Sequence, residues 1–160
     1  MLFRSDFPHV TIDAGGDLYL RGSRPDGGPW SVGIRHPRSP EDIIATVRVA
    51  DRAVCTSGDY ARPDATRSGG HHILDGRTRT SAHTAASVTV VAPTAMLADA
   101  VSTAVFVLGP VDGLRLCHDL GVEALIVSPD LTVLATPGMY SDYHLVVAPA
   151  VGRTPILPHA

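Results

Sequence analysis

Three oxygen-bearing side chains have the spacing of a cation site. Asp99, Ser102 and Thr103 stand at positions i, i+3 and i+4, which share one face of a helix within a single turn. A carboxylate with two hydroxyls suits Mg²⁺, which keeps some of its waters and completes its shell with substrate phosphate. The alternative is that Asp99 faces water and that both hydroxyls bond back to helix carbonyls.

A strand and a helix must position this cluster, and residues 86–109 predict both. Residues 87–91 are apolar and β-branched, Pro93 interrupts them, and Thr94 can cap a helix that ends at Gly109. The periodicity predicts an inward face of Leu97, Val101, Ala104, Val105 and Leu108. The opposite face, which includes Phe106, has a single charged residue. Another part of the protein could therefore cover this face as well.

A pair of histidines offers a second chemical function, that of a general base. Residues 71–75 read HHILD, and a strand there would place His71 with Ile73 on one face and His72 with Leu74 on the other. We therefore expect one of the two histidines to face any given site. Imidazole titrates near neutral pH and can take a proton from a hydroxyl. A hydrogen-bonded structural role is the alternative.

Short apolar runs separated by Gly and Pro predict several further strands. A hairpin is expected over residues 9–20, with its turn at Gly15-Gly16-Asp17, and strands over 30–35, 42–49 and 53–56. Residues 36–41 are read as a loop. The run that follows, Ser57-Gly58-Asp59, suits either an anion or an ordinary turn.

The rest of the chain adds a second helix and completes the fold class. Pro110 and Gly121 are the expected start and end of that helix, and residues 123–128 and 131–135 are read as a hairpin. Since strands outnumber helices and follow one another directly, the predicted class is α+β, with a mixed, largely antiparallel sheet and two main helices.

Composition narrows the possible partners. The chain has 160 residues, 44% hydrophobic and 18% charged, which is typical of a folded domain. Its net charge of −3 provides no basic stripe for nucleic acid. We find neither an apolar run long enough to span a membrane nor a signal peptide, so a cytoplasmic location is expected. Cys55 and Cys117 are expected to be buried thiols.

Four segments follow one another along the chain and read AGGDLYLRG, PWSVGIRHP, AVCTSGDY and HHILD, the last with VTVVAPTAMLADAVSTAVFVLG behind it. In this order they resemble the C-terminal half of the FAD:protein FMN transferases, the ApbE-like family. Single motifs of this length are weak, whereas four in register are specific. The resemblance covers roughly residues 9–139. We accordingly expect one such domain over residues 1–140, followed by a C-terminal strand and Pro-rich tail over residues 141–160.

The resemblance implies Mg²⁺-dependent transfer of FMN from FAD to a Thr or Ser hydroxyl of a target flavoprotein, with release of AMP. Asp99 and Thr103 match the family's metal-binding Asp and Thr, and Ser102 occupies a neighbouring position that can face the ion. His72 matches the more constant His of the family's HHI-type motif and would be the catalytic base beside the flavin. Ile73 would lie along the flavin site.

The chain departs from this family in two ways. The family's N-terminal half, which supplies much of the FAD pocket and further metal ligands, has no counterpart in these residues. Three explanations are left open, namely a partner chain carrying that half, a homodimer or an incomplete gene model. The alternative function is a non-catalytic flavin- or partner-binding remnant. The proline and glycine of the family's DPxTG turn are replaced by Gly76 and Arg79, which we expect to alter the loop beside His72.

Overall fold

The computed structural model describes residues 7–61 and 70–149, which form two stacked sheets and a layer of helices. The strands within these ranges are β1 (Val10–Asp13), β2 (Leu18–Arg21), β3 (Trp30–His36), β4 (Ser39–Val49), β5 (Arg52–Gly58), β6 (Leu74–Asp75), β7 (Thr80–Ser81), β8 (Ser87–Ala92), β9 (Glu123–Val127), β10 (Val133–Ala135) and β11 (Val146–Val147). The helices are α1 (Ala95–Leu108), α2 (Pro110–Leu120) and α3 (Pro137–Ser141). Most of the predicted tail, residues 150–160, lies outside the described residues.

The larger sheet has the strand order β1-β2-β5-β8-β9-β10, and the smaller has the order β11-β4-β3. A separate hairpin joins β6 to β7. Every strand pairing among the described residues is antiparallel. The predicted α+β class is confirmed, and the described sheets contain no parallel pair.

The central strand β8 is covered on both of its faces. One set of its side chains, Val88 and Val90, packs in a core with α1 and α2, while Val91 packs in a second core between the two sheets. All six residues of β8 are buried as a result. This explains why β8 has no charged residue and only two small polar ones, Ser87 and Thr89.

Both predicted helices form at their predicted boundaries. The Thr94 side chain accepts the N–H of Leu97 (3.3 Å) at the start of α1, and Gly109 follows its last residue. Pro110 begins α2, and Gly121 ends it in the left-handed conformation (φ 62°), which glycine adopts without a Cβ penalty. Two well-capped helices thus cross the same face of the larger sheet.

The predicted inward face of α1 is partly wrong. Its buried residues are Ala98, Val101, Ser102, Val105 and Phe106. Phe106 is fully buried because the β6–β7 hairpin covers the face on which it lies, whereas Leu108 is 37% exposed at the helix end. Contacts from a distant segment, and not the helix period alone, decide which side is covered.

Two smaller differences concern β4 and α3. The loop predicted for residues 36–41 is a tight turn at Pro37-Arg38, since β4 already begins at Ser39. The short helix α3 was not predicted. No helix of the described residues has the length and apolar character needed to cross a membrane.

Candidate functional site

Strand β5 delivers side chains to two different places because successive residues point to opposite faces. Cys55 and Ser57 face α1, and the Cys55 thiol lies 3.6 Å from the carbonyl oxygen of Ala95. Val54 and Thr56 face the other side, where they line a cavity next to the smaller sheet. The end of β5 is therefore shared by a polar cluster and a cavity.

The polar cluster consists of Ser57, Asp99, Ser102 and Thr103. The Ser57 hydroxyl lies 2.8 Å from Ser102 Oγ and 2.9 Å from Thr103 Oγ1. The Ser102 hydroxyl donates to the Asp99 carbonyl (2.9 Å) and is completely buried, whereas the side chains of Asp99 and Thr103 are exposed. Bonding back to the helix thus holds for Ser102, while Thr103 bonds to Ser57 across the strand.

A second carboxylate, Asp17, lies beside this cluster. Leu18 pairs with Val54 across β2 and β5, so the preceding residue Asp17 comes opposite Cys55 on the helix-facing side. Burial is the main cause that raises the pKa of the Cys55 thiol to about 12, and the nearby charges of Asp17 and Asp99 contribute to this increase. The negative charge of two carboxylates therefore converges where α1 meets β5.

The donor set of the polar cluster fits a hard cation only in part. Within residues 7–61 and 70–149, no group of three or more His, Cys, Asp or Glu side chains could hold a metal ion. Asp99 and Thr103 offer one carboxylate and one hydroxyl to solvent. A Mg²⁺ ion here would thus depend on water and on phosphate oxygens for its other positions, which is a common arrangement for this ion.

The cavity on the opposite face of β5 has a volume of about 830 Å³. Pockets of roughly 300–1,000 Å³ are the usual size for cofactors and other small molecules. Gly15 and Gly16 form one wall with φ angles of 76° and 105°, and a Cβ at either would meet no atom within 4 Å. A flat ring system can approach the bare main chain at this wall.

Two arginines near the cavity differ in their bonding. Arg38 binds Asp59 through two hydrogen bonds of 2.6 and 2.7 Å, which raise the pKa of the guanidinium. Arg35 lines the cavity at an irregularity in the β3–β4 pairing, and irregularities of this kind redirect side chains. Among the described residues, Arg35 makes no ion pair, and it lies close enough to Tyr60 to act on the phenol's pKa, which burial raises.

The alternation in burial predicted for the two histidines is confirmed, although the strand itself, β6, begins only at Leu74. His71 and Ile73 are buried, at 4% and 5% exposure, and His72 and Leu74 are exposed. The His71 ring packs edge-on against Phe106 with centroids 5.6 Å apart. Since Phe106 follows Ser102 by four residues, the hairpin meets α1 about 6 Å along the axis from the polar cluster.

The substituted turn beside His72 keeps a closed hairpin. Arg79 has a φ of 59°, the left-handed conformation that favours glycine, and its N–H donates to the Asp75 carbonyl (2.7 Å). Arg77 binds the Asp75 carboxylate at 2.8 Å and so lowers the pKa of that group. The replacement of the family's glycine by Arg79 therefore strains the turn without opening it.

Sequence reasoning singled out Ser57 only within a run that suits an anion or a turn, not as part of the polar cluster, and it did not single out His83. Ser57 joins the polar cluster, and the exposed His83 lies beside His71 with ring centroids 5.7 Å apart. The Ser-Gly-Asp run after a buried strand was a usable signal for Ser57. No local pattern singled out His83, because its neighbour His71 is twelve residues away in the chain.

Comparison with known proteins shows the family of this chain. The sequence model described as the ApbE family matches residues 1–126. The chain belongs to the ApbE family. It is 37% identical over 142 residues to an FAD:protein FMN transferase of Treponema pallidum and 34% identical over 124 residues to one of Escherichia coli K12. These matches cover 80% and 74% of this chain.

Solved structures show the same likeness for this ApbE family member. The ApbE protein of Thermotoga maritima matches with a TM-score of 0.70 and 36% identity over 78% of this chain. The flavinyl transferase ApbE of Pseudomonas stutzeri, in its apo form, matches with a TM-score of 0.64 and 29% identity over 82%. The chain spans 39% and 35% of the two curated relatives, and 41% and 44% of the two solved chains.

Proposed function

We propose that this chain takes part in the transfer of FMN from FAD to a Thr or Ser hydroxyl of a target flavoprotein, with release of AMP. The observation that carries the proposal is the meeting of exposed Asp99 and Thr103 with Ser57 at the end of β5, the other face of which borders a cavity of the size that cofactors occupy. Membership of the ApbE family and relatives named FAD:protein FMN transferase support it.

Asp99 and Thr103 are the residues proposed to hold Mg²⁺, with Ser102 as the neighbouring candidate. The Ser102 hydroxyl already bonds to the Asp99 carbonyl and to Ser57, so it would have to exchange a bond to reach an ion. We therefore expect Ser102 to contribute less to Mg²⁺ binding than Asp99 and Thr103. A bound Mg²⁺ neutralises charge on the phosphoryl oxygens of the diphosphate.

His72 is proposed as the base that accepts the proton of the attacking hydroxyl. In the proposed reaction, the acceptor oxygen forms a bond to the FMN phosphorus as the bond from this phosphorus to the AMP oxygen breaks. The proton moves from the acceptor hydroxyl to an imidazole nitrogen, and AMP leaves with the electron pair. A hydroxyl on another protein can reach the exposed His72, but it cannot reach His71, which is buried.

The cavity is proposed to receive part of the FAD molecule. Its Gly15-Gly16 wall suits a flat ring, Tyr60 offers an aromatic face, and Arg35 offers a cation to an oxygen-rich group. Ile73, predicted to lie along the flavin, is buried in the helix-side core, so we propose no polar contact between Ile73 and FAD. Thr56 lines the cavity and is better placed to contact FAD.

Since this chain spans less than half of its relatives, we propose that a second chain with the other part of the fold, or a second copy of this one, completes the pocket. The test is to incubate the protein with FAD, Mg²⁺ and a flavin-accepting protein. This is done with the chain alone and with the N-terminal part of a relative. We expect flavin fluorescence that stays with the acceptor in a denaturing gel.

His72→Ala and Asp112→Ala variants serve as test and control. Asp112 is an exposed carboxylate on α2 that binds Arg115 and is not part of the polar cluster. Transfer should be lost in the first variant and kept in the second. FAD binding with no transfer under every condition would support the alternative of a non-catalytic flavin-binding remnant instead.

A further inference from the structure

His71, the buried member of the histidine pair, is not used in the proposed reaction, yet all of its polar groups are bonded. Its Nε2–H donates to the Ala82 carbonyl (2.7 Å), and its Nδ1 accepts the N–H of Ile73 (3.3 Å). Its own N–H donates to Ser81 Oγ (3.1 Å), and the Ser81 hydroxyl donates to the His71 carbonyl (3.0 Å). These partners assign the ring proton to Nε2.

The bonds of His71 enclose the residue that follows it. The main chain of residue 71 is held by Ser81, and the main chain of Ile73 is held by the His71 ring and by the N–H of Ala82 (3.0 Å). His72 thus stands between two fixed residues. The direction in which its Cβ leaves the backbone is set by contacts that His71 makes.

His71 also anchors the hairpin to α1. Its ring packs edge-on against Phe106, which is fully buried, and lies 6.5 Å from the His72 ring at an interplanar angle of 75°. The His71 side chain therefore acts with Ser81 and Ala82 to fix the backbone around residue 72, and it places this backbone against the helix that carries Asp99 and Thr103.

We propose that His71 is a positioning residue, which holds the His72 imidazole in place relative to the polar cluster of α1. The inference rests on the proposed role of His72 as the base. It differs from a general contribution to stability because it predicts a specific loss in the chemical step, with FAD binding unchanged.

Three substitutions distinguish the hydrogen bond made by Nε2 of His71 from the one made by Nδ1. His71→Asn places an amide oxygen where Nδ1 was, so it can still accept the Ile73 N–H two residues ahead, as asparagine does in Asx-turns. His71→Gln can still donate to the Ala82 carbonyl, but it places no acceptor at the former position of Nδ1, where the Ile73 N–H points. His71→Phe keeps a ring against Phe106 and loses both bonds. Val105→Ala, in the same core, is the control for lost stability.

The transfer rate and the KM for FAD are measured for each variant in the complete system. We expect kcat to fall about 100-fold in His71→Phe, the size of effect that follows a displacement of about 1 Å, with KM for FAD unchanged. His71→Asn should restore more of kcat than His71→Gln, since only Asn retains the bond next to His72. A loss of kcat in His71→Phe no greater than in Val105→Ala would overturn the inference.

A second measurement does not require activity. NMR of this chain reports hydrogen exchange at the Ile73 amide and the shifts of the His72 ring protons. Both should change in His71→Phe, and the exchange rate of Ile73 should return towards that of the unchanged protein in His71→Asn. Unchanged signals of His72 in His71→Phe would refute the positioning role even if transfer is never observed, whereas changed signals without transfer would count against the proposed function alone.

Discussion

The two faces of β5 differ in how tightly they are packed. On the helix side, Cys55 and Ser57 are enclosed by α1, and hydroxyl oxygens lie 2.8–2.9 Å apart. On the other side, Val54 and Thr56 border a cavity of about 830 Å³. A single strand holds both, so their separation is rigid. A substitution on one face should therefore change one part of the proposed site and leave the other intact.

The largest effect is expected for Asp99→Ala, which removes the exposed carboxylate of the helix-side cluster. The Mg²⁺-dependent part of FAD binding and of FMN transfer should be abolished, while the free energy of unfolding changes by less than about 0.5 kcal/mol because the side chain is exposed. Titration calorimetry with FAD, with and without Mg²⁺, measures the first and urea unfolding the second. Retained Mg²⁺ dependence would remove Asp99 from the proposed metal site.

The reactivity of the two thiols tests how tightly the core between β5 and the helices is packed. Burial raises the pKa of both Cys55 and Cys117 from 9.0 to about 12. At pH 8, alkylation of the folded protein should thus be at least about 100-fold slower than alkylation of the unfolded chain. Mass spectrometry after timed exposure to iodoacetamide gives both rates, and equal rates would contradict the packing described for this face.

The same shifts predict a loss of stability at high pH. A group whose pKa is raised in the folded state holds its proton longer there, so its contribution to stability is complete below about pH 9. This contribution is lost as the pH rises from 9 towards 12. Urea unfolding at pH 8 and at pH 10.5 should therefore give a lower midpoint at the higher pH, and replacing both cysteines by Ala should reduce the difference.

Arg35→Gln tests the cavity side alone. Removing a cation that binds an oxygen of the ligand should raise the Kd for FAD about tenfold, which corresponds to about 1.4 kcal/mol. Arg24→Gln is the matched control, since Arg24 is exposed and already paired with Asp26 at 2.8 Å. Equal Kd values for the two variants would show that Arg35 does not contact the ligand.

Ser57→Ala and Thr56→Val compare the two faces directly. Each removes one bonded hydroxyl, since Ser57 Oγ lies within 2.9 Å of Ser102 and Thr103 and Thr56 Oγ1 lies 2.8 Å from Thr89 Oγ1. Each should lower the free energy of unfolding by about 1 kcal/mol. Ser57→Ala should also weaken the Mg²⁺ dependence of FAD binding, whereas Thr56→Val should not. A similar effect of both on Mg²⁺ dependence would mean that the two faces are not separate.

The smallest effect is expected for Arg79→Gly, on neither face of β5. Glycine relieves the strain of the φ of 59°, but it loses more conformational entropy on folding, so the net stabilisation should be at most about 1 kcal/mol. FAD affinity and Mg²⁺ dependence should remain unchanged. Thermal unfolding measures the gain, and a lower melting temperature would show that the Arg79 side chain contributes more than its backbone costs.

The sequence by itself determined the local structure of this protein. The caps at Thr94, Gly109 and Gly121, the hairpin turn at Gly15-Gly16 and the alternation of His71 with His72 depend on neighbouring residues, so the pattern predicted them correctly. The family was likewise readable from short motifs in order. These properties need no contact between distant segments.

Only the tertiary structure decided which residues meet. Ser57 bonds to Thr103 across 46 positions of the chain, Phe106 is buried by a hairpin that comes before α1, and Arg35 is turned into the cavity by an irregular strand pairing. Helix and strand periods tell which side chains share a face but not what covers it. The covering depends on how the sheets and helices pack, and this is a property of the whole chain and not of any one segment.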